Sequence, residues 1–317
     1  MQMTKIYNIE KGINYTTICR LLNCNWKKFW EFFPRIEKYI FTDIKLPEFS
    51  NELCSLFQIS PQELERVFLE TQSLFSKIIF PYNLLTLKDN EYSEYLKNSL
   101  EAPAILFVRG NADLMKYPAV ALVGTRQATE EGKKRARKLA LLLADMGFVI
   151  ASGLARGIDT AAHKGAIEAG GRTMAVVGTN LAESYPAENR ELQETIATNH
   201  LLISQFPFGC PTLPYNFPLR NQTMSGLSLA TIIVEAGETS GALIQARQCL
   251  RQKRKLFILK NLMDNPKLEW PQTFKNKEGV YIVSKIDDLV GELQKFQLVK
   301  EPKSSSGDTN YDLFEND

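Results

Sequence analysis

The chain has 317 residues, 44% of them hydrophobic, and a formal net charge of +2. That length can bury a sizeable core and suits one large domain with a small companion; no run of about 18 apolar residues marks a membrane span. Five scattered cysteines (Cys19, Cys24, Cys54, Cys210, Cys249) with no CxxC pair, and only two histidines, His163 and His200, argue against a disulfide framework and against zinc, so reduced thiols are expected.

Charge is unevenly spread. Residues 118–260 carry 17 Lys and Arg against 11 Asp and Glu, a net of +6, and the last 17 residues carry five acids and one lysine, a net of −4. A moderately basic centre admits a polyanionic partner without requiring one. The N-terminal MQMTKIYNIEKG lacks the apolar stretch of a signal peptide, which sets the expectation of a cytoplasmic protein with no membrane association.

In chain order, residues 1–78 read as a small helical domain. SPQELERVFLETQSLFSKI opens with Ser60 as N-cap and Pro61 at the first helical position, and Leu64, Val67 and Phe68 recur at helical spacing. From residue 79 to 297 the pattern changes to short apolar runs between helical segments: AILFV, VALVG, FVIAS, TMAVVG, LLIS, TIIVE, LFIL and VYIV. Such alternation predicts an α/β fold, a Rossmann-like, doubly wound and mostly parallel sheet covered on both faces. Ligands of such sheets bind beyond the carboxyl ends of the strands. Residues 298–317 are polar and acidic and read as a disordered tail.

Four loops carry the candidate chemistry. The first is Gly124-Thr125-Arg126. Gly124 stands eight residues before Gly132, and Lys133 precedes another lysine, so no triphosphate loop is spelled. A dinucleotide fingerprint fails as well, because Arg126 takes the place of the second glycine and offers a forked phosphate donor instead. The five cations of the next helix (Lys133, Lys134, Arg135, Arg137, Lys138) read equally as a solvated face or as added positive field; Ala136, Leu139, Ala140 and Leu143 form its expected buried stripe.

The second loop, Ser152-Gly153 onward, leads into a helix that Asp159 can cap, with His163 one turn later. Neither a metal set nor a nucleophilic triad is complete around them, so both are read as structural or pocket-lining. The third, NFPLRNQTMSGLS, places Arg220 and Asn221 in a proline-rich connection before a helix, suited to phosphate and base-edge contacts. The fourth ends a strand at Glu235, and Gly237, Ser240 and Gly241 open a helix whose free N–H groups form an anion site. Arg247 and Arg251 on that helix extend the positive field or are ordinary surface charges.

Together these stretches resemble the DNA-processing DprA/Smf family. The matching pieces, in order, are GTR at Gly124, SGLARGIDTAAH at Ser152, YPAEN at Tyr185, ISQFP at Ile203, FPLRNQTMSGLS at Phe217 and VEAGETSGAL at Val234, preceded by FPYNLLTLKDNEY and APAILFVRGN. The resemblance implies a Rossmann-like domain that binds single-stranded DNA and a homodimer that loads the RecA recombinase during DNA-mediated transformation. It implies no enzymatic activity and no nucleotide cofactor. The DNA-binding residues it implies are Gly124, Arg126, Ser152, Gly153, Arg220, Asn221, Ser240 and Gly241, with Arg247 added for its charge. This chain departs from the family pattern at Gln205, Gln222 and Gln245, at KNLMDNP near the end of the domain, and in a tail where many members carry a winged helix. Gln222 removes one cation of the pattern. Two alternatives stand beside this reading. One is a nucleotide-processing enzyme of the lysine-decarboxylase-like (LOG) group, whose catalytic glutamate is missing from GALIQARQCLRQ; the other is a nucleotide-sensing module, supported by Gln222 and Gln245. In the tail, Tyr311-Asp312-Leu313-Phe314 is similar to peptides that dock on the sliding clamp.

Overall fold

The computed structural model describes residues 8–100 and 102–295. The tail, with its Tyr311–Phe314 segment, lies outside the described residues. Four helices come first: α1 (Ile9–Leu21), α2 (Trp26–Ile40), α3 (Ser50–Phe57) and α4 (Pro61–Ser76). Ser60 caps α4 as its sequence position predicts, its Oγ accepting from the Glu63 N–H at 3.1 Å.

Strands and helices then alternate. They are β1 (Asn83–Thr86), α5 (Glu94–Lys97), β2 (Ile105–Gly110), β3 (Ala119–Gly124), α6 (Glu130–Asp145), β4 (Val149–Ser152), α7 (Ile158–Glu168) and β5 (Arg172–Val176). There follow α8 (Arg190–Asn199), β6 (Leu201–Ser204), α9 (Asn216–Leu227), β7 (Ala230–Glu235), α10 (Ala242–Arg251), β8 (Lys255–Leu259), α11 (Lys260–Met263), α12 (Trp270–Phe274), β9 (Val280–Val283) and α13 (Ile286–Gln294).

All the strands form one sheet in the order β1-β2-β6-β5-β4-β3-β7-β8-β9. The strands from β6 to β9 in that order are parallel to their neighbours, and β2 pairs antiparallel with both β1 and β6. This is the Rossmann-like, mostly parallel sheet that the apolar runs predict, with β1 as an extra strand at one edge. The order also fixes where a ligand can sit. From β3 the chain builds outward through β4, β5 and β6, then returns to lay β7 on the other side of β3. A crevice opens where two neighbouring strands send their connections in opposite directions.

Alternate residues of each strand enter opposite layers, because successive side chains point to opposite faces. On one face Leu106, Met174, Ala121 and Ile233 pack against Met224 and Leu227 of α9 and Ala246 of α10. On the other, Val120, Ile150 and Ile232 pack against Leu139 and Leu143 of α6 and Ala162 of α7. The predicted stripe of α6, from Ala136 to Leu143, is fully buried there. Farther along that second face, Phe107, Ala175 and Leu202 share one apolar cluster with Tyr15, Phe29 and Phe68 of the N-terminal helices. No helix of the described residues is long and apolar enough to cross a membrane.

One expectation is overturned. Cys24, in the turn between α1 and α2, forms a disulfide with Cys210, in the segment between β6 and α9, across 186 residues of sequence. Spacing along the chain gave no sign of it, since the fold alone brings the two segments together. Cys19, Cys54 and Cys249 are free.

Phe107 is fully buried and touches Tyr15, Phe75 and Phe208 at ring separations of 6.3, 6.4 and 5.4 Å. Phe107→Ala is expected to lower the unfolding free energy by about 3–5 kcal/mol in urea titration. Ile79→Ala, at a side chain 97% exposed, serves as control and should change it by no more than about 0.5 kcal/mol.

Candidate functional site

Two strand ends meet at the crevice. The Thr125 N–H donates to the Glu235 carbonyl at 2.7 Å, and the β3–β7 register shifts at Val123/Gly124, so the two loops leave side by side. In many nucleotide-binding sheets the helix after the first such strand offers its N-terminus to phosphate. Here that position is already occupied from within. The Glu235 carboxylate accepts from the Thr129 N–H at 3.1 Å and from the Thr129 hydroxyl at 2.8 Å, and Thr129 Oγ1 in turn caps α6 by accepting from Gly132 N–H at 3.0 Å. A Cβ on Gly132 would lie 1.7 Å from Glu235 Oε2, so glycine leaves the room that the carboxylate uses.

The space remaining is a pair of adjoining cavities. The larger, about 890 Å³, is lined by Arg126, Asp159, Asn221, Ser240, Gly241 and Gln245, among others. The smaller, about 530 Å³, includes Gly153, Arg156, Gly178, Ser184 and Pro186. Arg126, Gln127, Ala155, Tyr185, Phe217 and Arg220 face both. Arg126 is exposed, and its guanidinium lies 5.6 Å from the Phe217 ring centre and 6.0 Å from that of Tyr185. The two rings are 5.4 Å apart, and Tyr185 is 49% exposed. A cation thus rides on two aromatic faces between the chambers, held by quadrupole attraction yet open to solvent.

Arg220 has the opposite character. It lies in the second turn of α9 rather than in a connection before a helix, and it is buried. Its Nη1 donates to the Gly153 carbonyl at 2.5 Å and the Val176 carbonyl at 2.6 Å, and its Nε to Asn221 Oδ1 at 3.0 Å. The guanidinium therefore ties α9 to the ends of β4 and β5. A Cβ on Gly153 would meet Nη1 at 2.0 Å, so glycine is required for this seat. Burial pulls the Arg220 pKa down to about 10; Asp159 attracts the charge and Arg126 repels it. It stays cationic at neutral pH.

Asp159 differs from the expected helix cap. Gly157 is the N-cap of α7, and the Asp159 carboxylate reaches back to the N–H groups of Gly153 and Ala155 at 3.1 and 3.3 Å. Burial pushes its pKa up, while the Arg220 charge and those two donors pull it back. His163 is fully buried and lines neither chamber. Thr173 donates its hydroxyl proton to the Ile150 carbonyl, so His163 Nδ1 is the protonated nitrogen in the 2.7 Å contact with Thr173 Oγ1. Among the described residues its Nε2 has no partner, which fits a neutral imidazole.

Of the residues singled out from sequence, Gly124, Arg126, Gly153, Arg220, Asn221, Ser240 and Gly241 converge on the cavities. Ser152 does not: its hydroxyl is buried and donates to the Leu122 carbonyl at 2.7 Å. Arg247 is exposed on α10 and lines neither chamber. Gln222 also faces away, its Nε2 donating to the Leu100 carbonyl at 2.8 Å, so the residue type there leaves the cavity unchanged. Gln245 does line the larger chamber. Tyr185, Phe217 and Arg156 were missed as site residues. The first two stand inside the YPAEN and FPLRN stretches, where an aromatic beside proline is the available signal.

The sequence matches the family model described as DNA recombination-mediator protein A over residues 83–294. It is 38% identical over 196 residues to the DNA processing protein DprA of Streptococcus pneumoniae, covering 62% of this chain and 69% of that protein. The X-ray structure of DprA from Streptococcus pneumoniae superposes with a TM-score of 0.67 at 30% identity, over 92% of this chain and 99% of the other. DNA processing protein A from Helicobacter pylori, solved to explain its single-stranded DNA binding mode, gives 0.60 at 28% identity, over 69% and 98%.

The buried imidazole has a consequence for acid stability. Burial lowers the His163 pKa from 6.5 to about 3. Below pH 6.5 the unfolded chain takes up a proton there that the folded chain refuses, so stability falls as pH drops from 6.5 toward 3. Urea unfolding at about pH 7 and pH 5 should show His163→Gln losing about 2 kcal/mol less than the parent protein across that interval. An equal loss in both proteins would assign the acid sensitivity to other groups.

Proposed function

The chain belongs to the DNA recombination-mediator protein A family, and on that premise we propose that its twin cavity binds single-stranded DNA. The observation that carries this reading is Arg126, exposed between two chambers and backed by Tyr185 and Phe217. A cation between two nucleotide-sized spaces suits a phosphate whose flanking nucleotides diverge into both, and a half-exposed tyrosine suits an unstacked base. The Gly237–Gly241 loop closes the far wall, but the free helix-start N–H groups expected from sequence are engaged locally: Ala242 donates to Ser240 Oγ at 3.3 Å and Leu243 to the Ser240 carbonyl at 3.0 Å. Arg220 adds charge from below, and the candidate residues Gly124, Gly153, Asn221, Ser240 and Gly241 shape the walls.

The wider role we infer from family membership is that of a cytoplasmic recombination mediator. It would act as a homodimer that hands bound strands to RecA during uptake of transforming DNA. Nucleotide hydrolysis gains no comparable support. Among the described residues Asp159 is the acid lining the larger chamber, and its carboxylate is engaged by two backbone N–H groups.

Arg126→Ala is expected to weaken binding of a labelled oligothymidylate and to reduce the slope of log K against log salt by about 0.7, the value of one single-strand phosphate contact. Tyr185→Ala should cost about 1–3 kcal/mol of affinity with the salt slope retained, because stacking releases no counterion. Fluorescence anisotropy over a salt series reads both. A parent-like slope in Arg126→Ala would remove the phosphate from this place. Arg220 is a poor first probe, since its loss unpicks the strand ends as well as the charge.

A further inference from the structure

Most walls of the twin cavity are strand ends and helix starts, fixed by the sheet. The segment between β6 and α9 is different. Thr212, Leu213 and Pro214 line the larger chamber from it, yet its backbone hydrogen bonds are local turns such as Cys210 N–H to the Pro207 carbonyl at 3.4 Å. The lip is tied on one side by Thr212, whose hydroxyl donates to the Glu183 carboxylate of the β5–α8 segment at 2.7 Å, and on the other by the N-terminal helices. Cys210 is bonded to Cys24, and the Tyr215 hydroxyl donates to the Cys24 carbonyl at 3.1 Å. Tyr15 of α1 donates to the Gln205 carbonyl at 3.3 Å. The anchoring turn is itself unusual: Asn23 and Cys24 both have left-handed backbone, with φ of 54° and 52°. Non-glycine residues hold that conformation where their surroundings enforce it.

We propose that the Cys24–Cys210 disulfide is a redox clasp that sets how firmly the lip of the cavity is held, and thereby tunes affinity for single strands. This rests on the reading of the cavity as a single-strand site. Both cysteines are buried, but Asn23, Asn25, Gly209 and Pro211 on either side of them are exposed, so modest opening of either turn admits a small thiol. Burial raises the thiol pKa values of Cys19 and Cys249, which keeps those two protonated and unreactive. In a reducing compartment a bond of this kind is open at rest and closes on oxidation.

The exchange is balanced by a dithiol carrier. One carrier thiolate attacks a sulfur of the pair, breaks the S–S bond and forms a mixed disulfide; the second carrier thiol displaces it. The protein pair gains two electrons and two protons, and the carrier becomes its own disulfide. An oxidised carrier runs the same steps backward. Closing the bond removes freedom from the lip before DNA arrives, so the oxidised form pays less ordering entropy on binding.

The test compares the full chain oxidised and reduced with dithiothreitol, alongside Cys24→Ser and Cys210→Ser. Alkylation of the denatured chain defines the state by mass: three free thiols when oxidised and five when reduced. Reduction is expected to speed amide hydrogen exchange across residues 205–215 by about tenfold and to weaken oligothymidylate binding by about fivefold. Both serine variants should match the reduced protein and ignore dithiothreitol. Unchanged exchange, equal affinity in the two states, or a redox response that survives in Cys24→Ser would each overturn the clasp. Absence of oligonucleotide binding in both states would instead refute the single-strand reading, and the exchange measurement alone would then decide whether the bond holds the lip.

Discussion

The buried guanidinium of Arg220 is the constraint around which the site is arranged. Taking such a charge out of water is costly unless its donors are satisfied and an opposite charge stands near. The chain meets both conditions with main-chain carbonyls at the ends of β4 and β5, the neighbouring Asn221 amide and the attraction of Asp159. Those partners fix everything around them. Gly153 has no side chain because the guanidinium fills the space. Asp159 turns back to the Gly153–Ala155 loop and leaves the start of α7 uncapped by a side chain. Arg126 then stands near a cation that cannot move away; burial is the main cause of the lowered Arg220 pKa, and repulsion from Arg126 adds to it. An anion placed between them would relieve that repulsion, so the arrangement favours negative charge there.

A second carboxylate explains why a nucleotide-type sheet lacks a nucleotide-type loop. Glu235 ends β7 and places its charge at the N-cap of α6, accepting from the Thr129 N–H and hydroxyl, while Thr129 Oγ1 takes the Gly132 N–H that a phosphate would otherwise take. With that end filled, the loop after β3 is free to carry a bulky cation where a dinucleotide site needs glycine. In the proposed binding mode the phosphate lies to the side of that helix end, on Arg126. The two features are one design: the acid that closes the helix end makes the arginine at the strand end useful.

Much of this was legible in the sequence, and what was not has physical reasons. Apolar runs gave eight of the strands, and helical spacing gave the buried face of α6, because periodicity reports burial directly. β1 was missed because NLLT is too short to show a period. Arg220 was assigned to a connection because Pro218 reads as a breaker; proline is tolerated in the first turn of α9, where no N–H partner is lost. Motif order collected most of the cavity residues, but it could not tell a charge that faces solvent from one that holds backbone. Arg126 and Arg220 look equivalent in sequence and act in opposite ways. Ser152 and Gln222 sit inside informative stretches and face away from the cavity, since such a stretch carries packing residues along with its contacts. Tyr185 and Phe217 come together only when the segment after β5 and the start of α9 fold onto each other.

The Cys24–Cys210 contact lay beyond any local signal for the same reason, and it alters how the N-terminal helices relate to the site. Phe107, Phe208 and Leu202 share an apolar cluster with Tyr15, Phe29 and Phe75, so these helices pack directly on one face of the sheet that carries the cavity. Their tight aromatic packing makes that contact stiff. The α1–α2 turn therefore acts as a fixed post outside the crevice, and the segment after β6 is tied to it through Cys210 and Tyr215. The sheet supplies the floor and two walls of the cavity, whereas the remaining lip takes its position from a different part of the chain. A wall held by one disulfide and a few side-chain hydrogen bonds can be loosened without disturbing the strand ends, and it is there that the geometry leaves room for control.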